Sequence, residues 1–189
     1  MGTNVFDVQG AKITIIEKPK FDVVGFTRPV NLDGGMIYSF INELSANGQL
    51  NKLAETLQTP QQIWACLSDV RCTENRKYCT PCDLNCANFH TRCTVCVEKT
   101  DKHDFSSFEN GELFMFSVSA SKWALCEASD KDSAINFIMN YSEVIKETGF
   151  CFDNNIGLHF DNQHECFIDS TWDFSTKKYY FLMPVISIS

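Results

Sequence analysis

From Lys12 to Phe26 the run KITIIEKPKFDVVGF is rich in apolar β-branched residues, and Lys18-Pro19-Lys20 interrupts it. The pattern predicts a first edge strand with a break or bulge at the proline. Between Met36 and Ala46 the period changes: Met36, Ile37, Phe40, Ile41 and Leu44 fall at helical spacing, with Asp33 as an N-terminal cap and Gly48 just past the end. Leu50 to Leu57 extends this as a second short helix. After Thr59-Pro60 the stretch QQIWACLSD returns to a strand, and from Asp69 to Thr91 no period survives, which predicts a loop.

TRCTVCVEK then sets Cys93, Val95 and Val97 on one strand face and Thr94, Cys96 and Glu98 on the other. A polar stretch with Asn110-Gly111 leads into ELFMFSVSASKWALCEA, which predicts two strands joined by a short Ser-Ala-Ser turn. The strongest helix follows, with Ser129-x-x-Asp132 as its N-terminal signal, an apolar stripe of Ala134, Ile135, Phe137, Ile138, Tyr141, Val144 and Ile145, and Gly149 as its stop. NIGLHFDN and KKYYFLMPVISI close the chain as strands, with Pro184 marking an edge or strand end. The order is α+β in two similar halves, one up to Glu98 and one from Glu112 onward, each with one main helix to cover one sheet.

The chain has 189 residues, enough for one domain over 1–189 with a Cys-rich insert at about 70–91. With hydrophobic residues at 44% and 16 Phe, it has ample apolar area for a core. The net charge of −8 has the wrong sign for a direct nucleic-acid partner and favours a positively charged ligand instead. The amino terminus carries no secretory or myristoylation pattern, and no apolar run reaches the ~18 residues of a membrane span, so a cytoplasmic protein is expected. Ten Cys are too few for a disulfide scaffold of this length, and reduced or metal-bound thiols are expected.

Several short runs resemble the GyrI-like small-molecule-binding family, the effector-binding domain of AraC- and MerR-type multidrug regulators: IIEKPKFDVVGF, TVCVE, SASKWALCEAS and YYFLMPV. The resemblance covers roughly residues 12–186. It implies two pseudo-symmetric βαββ-like halves, with antiparallel sheet and helices around a central groove for lipophilic, drug-like and often cationic compounds. Because the first strand begins so near the amino end, the expectation is a stand-alone domain without the helix-turn-helix of the fused regulators. The sequence departs from the family twice. The strand after the strongest helix has Leu158-His159-Phe160 where the family places a Glu two residues ahead of an aromatic, and only a shifted register would offer Asp161. The Cys-rich insert is the second departure.

In that insert Cys72, Cys79, Cys82 and Cys86 could wrap one structural Zn²⁺, a closed shell with no open position for chemistry. The competing set pairs Cys79/Cys82 with Cys93/Cys96. It ranks lower, because residues i and i+3 of a regular strand face opposite sides. An iron–sulfur cluster ranks lower still. The second constellation is aromatic: Phe26, Tyr38, Trp64, Phe116, Trp123, Phe160, Trp172 and Tyr180 lie on or near predicted strands and the first helix. The resemblance favours Trp64 and Trp123 as groove walls, where a cation over an indole gains about 0.5–2 kcal/mol. Glu127 follows Trp123 by four on one strand face and could serve as counter-charge or acid/base.

His90, His103, His159 and His164 form no metal or catalytic motif, and no phosphate-binding glycine loop is present. The leading expectation is a protein that binds or senses a small molecule. The alternatives are a hydrolase of reactive natural products using Glu127 or Asp161, and an interaction module that docks on another protein such as a regulator.

Overall fold

The computed structural model describes residues 4–30, 35–57, 63–72, 89–153, 158–161 and 179–188. In chain order these form β1 (Asn4–Val8), β2 (Ala11–Lys18), β3 (Phe21–Val30), α1 (Gly35–Ala46), α2 (Gln49–Glu55), β4 (Trp64–Cys72) and β5 (Phe89–Glu98). The second half follows with β6 (Phe114–Val118), β7 (Ser121–Ala128), α3 (Lys131–Lys146), β8 (Phe150–Phe152), β9 (Leu158–Asp161) and β10 (Tyr179–Ser187). The fold is α+β, as expected. Among the described residues no helix is long and apolar enough to cross a membrane.

All strands join one ten-stranded antiparallel sheet in the order β1-β2-β7-β10-β9-β4-β5-β3-β6, with β8 pairing β10 beside β9. Apart from the edge strand β1 and the short β8, the order is symmetric about the β9·β4 seam, with β9, β10, β7 and β2 matching β4, β5, β3 and β6, and the ladder registers obey it. The pair Lys18·Ser121 maps onto Val118·Phe21, Val23·Glu98 onto Trp123·Pro184, and Trp64·Cys96 onto Phe160·Leu182. Ala65·Asp161 maps onto itself and marks the pseudo-twofold axis. The two halves read from the sequence are thus related pair by pair, although no residue-level repeat is visible.

Two very short connections decide the shape. Residues 19–20 link β2 to β3, and residues 119–120 link β6 to β7, yet each linked pair stands six strand positions apart. Three Cα–Cα steps span at most ~11 Å, whereas six strand spacings in a flat sheet span roughly 29 Å. The sheet must therefore curl into a trough whose far flanks meet at one end, laced by the two links. The strand breaks at Pro19 and the short Ser-Ala-Ser turn separates two strands, as expected, but the edge placement is corrected: β2 lies between β1 and β7, β3 between β5 and β6, and neither link closes a hairpin.

Two apolar layers lie outside the trough. In the first half Val24, Phe26, Val30, Ala65, Val95 and Val97 pack against Ile37, Phe40, Ile41 and Leu44 of α1 and Leu50 and Leu53 of α2. In the second half Ile13, Ala124, Cys126, Phe181 and Met183 pack against Ala134, Phe137, Val144 and Ile145 of α3. Ile135 and Tyr141, expected in the apolar stripe of α3, are exposed. The helix is capped by Asp130, whose side chain accepts from the Ser133 N–H, rather than by Ser129. Pro184 lies inside β10, not at an edge. It falls between the β9 ladder, which reaches Leu182, and the β8 ladder, which begins at Val185, so its missing N–H costs no ladder bond. Its carbonyl accepts from the Asp153 N–H on that same side.

Candidate functional site

Strand alternation sends the remaining side chains into the trough. Phe21 and Val23 of β3, Cys66 of β4, Cys96 of β5, Val118 of β6, Trp123 of β7 and Leu182 of β10 form a buried floor. Ile16, Trp64, Phe116 and Leu125 pack against it and stay half-buried. The curl explains how β3 and β7, far apart in strand order, meet: the Phe21 and Trp123 rings stand 5.8 Å apart, edge to face. A wholly buried floor beneath half-exposed aromatic and aliphatic walls is the surface that an apolar guest needs.

Polar groups sit at two levels. Away from the lace, Glu127 of β7 is flanked in register by Lys12 of β2 and Tyr180 of β10, with Glu127 and Tyr180 both half-buried. The pseudo-twofold axis relates Glu127 to Thr27 and Tyr180 to Thr94. On that side the two threonine hydroxyls lie 3.0 Å apart, and Arg92 Nη1 donates to Thr27 Oγ1 at 3.4 Å. One wall is therefore acidic and aromatic, and its counterpart is hydroxylic and basic. At the laced end Lys18 Nζ lies 2.7 Å from Glu98 Oε2 and 4.5 Å from the centroid of the Phe21 ring.

One thiol of the floor, Cys96, is held back as a nucleophile. Burial, with Cys93 nearby, pushes the Cys96 thiol far above its ordinary range, so it stays protonated. Cys126, on the helix-covered face, is raised by burial in the same way. The described residues hold no group of three or more metal-ligating side chains. Of the proposed zinc set, Cys79, Cys82 and Cys86 lie outside the described residues, and Cys72 is seen only as the last position of β4, opposite Phe89. Cys93 and Cys96, from the competing set, face opposite sides of β5: Cys93 joins the helix-covered core and Cys96 the trough floor. They cannot share an ion.

Of the residues singled out in the sequence, the trough brings together Trp64, Phe116, Trp123, Glu127 and Tyr180. Phe26 lies on the other face, buried in the helix-covered core with its ring 5.9 Å from Phe108. Phe160 pairs in register with Cys66 and Leu182, and Tyr38 lies on α1; their side chains are outside the description, as is Trp172 altogether. Sequence reasoning missed Phe21, Leu125, Leu182, Lys18 and Glu98. Alternation from Trp123 would have found Leu125 on its own strand. The others depend on which strands the curl brings face to face.

No protein-family model matches the chain, and no curated protein matches it. Among solved structures the chain is similar to SAV2435 bound to tetraphenylphosphonium, with TM-score 0.58 and 10% identity over 92% of this chain and 93% of that one. It is similar to a protein of Staphylococcus aureus MU50 described as a bacterial transcription regulation protein, with TM-score 0.57 and 10% identity over 92% and 97% of the two chains. It also resembles EcmrR in its DNA complex, with TM-score 0.54 and 14% identity over 96% of this chain and 59% of that one. At such identities the likeness is one of fold.

Proposed function

We propose that this chain, whose fold is that of the GyrI-like effector-binding domains, binds a lipophilic aromatic small molecule in the laced trough. The observation that carries the reading is the layered interior: a buried floor of Trp123, Phe21 and Leu182 beneath half-exposed Trp64, Leu125 and Phe116. An apolar guest gains about 25 cal/mol for each Å² it hides there. Glu127, held between Tyr180 and Lys12 in the ladder, is the counter-charge for a cationic guest. Leu158, which stands where the family carries its acid, contributes none. The likeness to a protein seen with tetraphenylphosphonium supports the same class of guest.

The reading is of a binder or sensor rather than a catalyst, since burial holds the Cys96 thiol of the floor protonated and the walls are apolar among the described residues. Thermal melting with tetraphenylphosphonium tests it. A guest at ~100 times its Kd adds about 2.7 kcal/mol, a Tm rise of roughly 5–10 °C for a chain of this size. Trp64→Ala should abolish most of that rise, and Glu127→Gln should weaken cation binding roughly tenfold while sparing neutral analogues. A wild-type Tm that stays fixed with cationic, neutral and anionic aromatics alike defeats the reading. Steady consumption of a compound, abolished by Glu127→Gln, would replace it with the hydrolase.

A further inference from the structure

We propose that the trough has a second cation subsite at its laced end, formed by the Glu98 carboxylate and the face of Phe21, which Lys18 occupies as a tethered and displaceable cation. The inference rests on the reading of the trough as a small-molecule site and adds to it where a guest's charge can go. A protein offers an organic cation two things, a counter-charge and an aromatic face. Lys18 takes both, with Nζ 2.7 Å from Glu98 Oε2 and 4.5 Å from the Phe21 centroid. Phe21 in turn meets Trp123 edge to face, so this cage runs directly into the apolar floor.

The pseudo-twofold axis separates this role from a merely structural one. Lys18, Phe21 and Glu98 correspond to Val118, Ser121 and Pro184. Among the described residues, the corresponding positions of the second lace therefore carry no charged pair, so the connection between flanks does not require one there. The pair is also reachable. The Lys18 side chain is 20% exposed and that of Glu98 is 39% exposed, a setting in which an ion pair is weak and screened. A lysine stem can leave such a site for water without any change in the sheet, because its four carbons rotate freely and its ammonium is strongly hydrated. The class of guest is then an aromatic ammonium, amidinium or phosphonium whose charge replaces the Lys18 ammonium.

Titration of the full chain by tryptophan fluorescence, with methyltriphenylphosphonium and the neutral triphenylphosphine oxide, tests this against Lys18→Met, Lys18→Arg and Glu98→Gln. Removing the competitor in Lys18→Met should tighten the cation about tenfold, the combined scale of one part-exposed ion pair and one cation–π contact. The oxide should be unchanged. Lys18→Arg should bind as the wild type does, and Glu98→Gln should lose the cation preference at this end. Cation affinity that is unchanged or weaker in Lys18→Met, with the oxide still bound, overturns the subsite and leaves the trough reading standing. Failure of both probes to bind any of the four proteins overturns both.

Discussion

At Gly25 a hydrogen stands where any other residue would set a Cβ against the Val95 carbonyl oxygen and within 2.6 Å of the Cys96 Cα. Both neighbours are backbone of the paired strand β5, so neither can turn aside. The close approach belongs to the curl, since a sheet bends sharply where one strand carries no side chain. Gly25→Ala should destabilise the protein by about 3 kcal/mol or more, read as a lower midpoint in urea with an unchanged slope. An equal midpoint would mean that β3 and β5 can separate at no cost. Its counterpart across the pseudo-twofold axis is Leu125, so the two flanks are not bent by the same means. At this scale the sequence was only half legible. In FDVVGFTRPV both strand faces are apolar, with Phe21 and Val23 on one and Val24 and Phe26 on the other. Alternation separates the two sets but cannot say which meets a helix. Phe26 drew notice as a trough residue for that reason, and Phe21 did not.

Elements were more legible than residues. The helical spacing of Ile37, Phe40, Ile41 and Leu44, and of Ala134, Phe137, Val144 and Ile145, gave α1 and α3 nearly to their ends, because one buried stripe per helix is a local property. The cap of α3 shifted by one residue, from Ser129 to Asp130, since both types can cap and only the backbone geometry chooses. Asp130 accepts from the Ser133 N–H, and that bond, with the Ser133 and Ser129 hydroxyls, holds its carboxyl below the ordinary value of 3.8. A depressed carboxylate stabilises the fold above its unfolded-state value and loses that contribution as the pH falls through the folded one. Asp130→Ala should therefore lower the Tm at neutral pH by about 2–4 °C. The gap should close only as melts are taken through the folded value, which lies below 3.8, where the wild-type cap becomes protonated too. A gap that is constant with pH would show that the carboxylate does not cap the helix. The strands β1 and β8 escaped notice because short strands carry too few alternations to stand out.

For the whole molecule, the halves share one sheet with paired backbone across the β4·β9 seam, and the two links cross between flanks. A pseudo-symmetric chain built this way has no cut through which one half could leave intact. Calorimetric and van't Hoff enthalpies of unfolding should therefore agree within error, as for one cooperative unit. Two resolved transitions would mean that the seam and laces couple the halves weakly.

By itself the sequence determined the α+β order, the two halves, the main helices and most strands, and the aromatic wealth with its acidic balance. All of these follow from composition and from periods of two and 3.6 within short windows. Tertiary structure alone decided that the two-residue links join distant flanks instead of closing hairpins, and so bent the sheet into a trough. It decided that Phe21 meets Trp123, that Glu98 faces Lys18, and that Glu127 stands between Lys12 and Tyr180. Strand pairing is the reason. The same hydrogen-bonding edges fit any partner strand, and the choice falls to long-range closure and burial, which no local window contains.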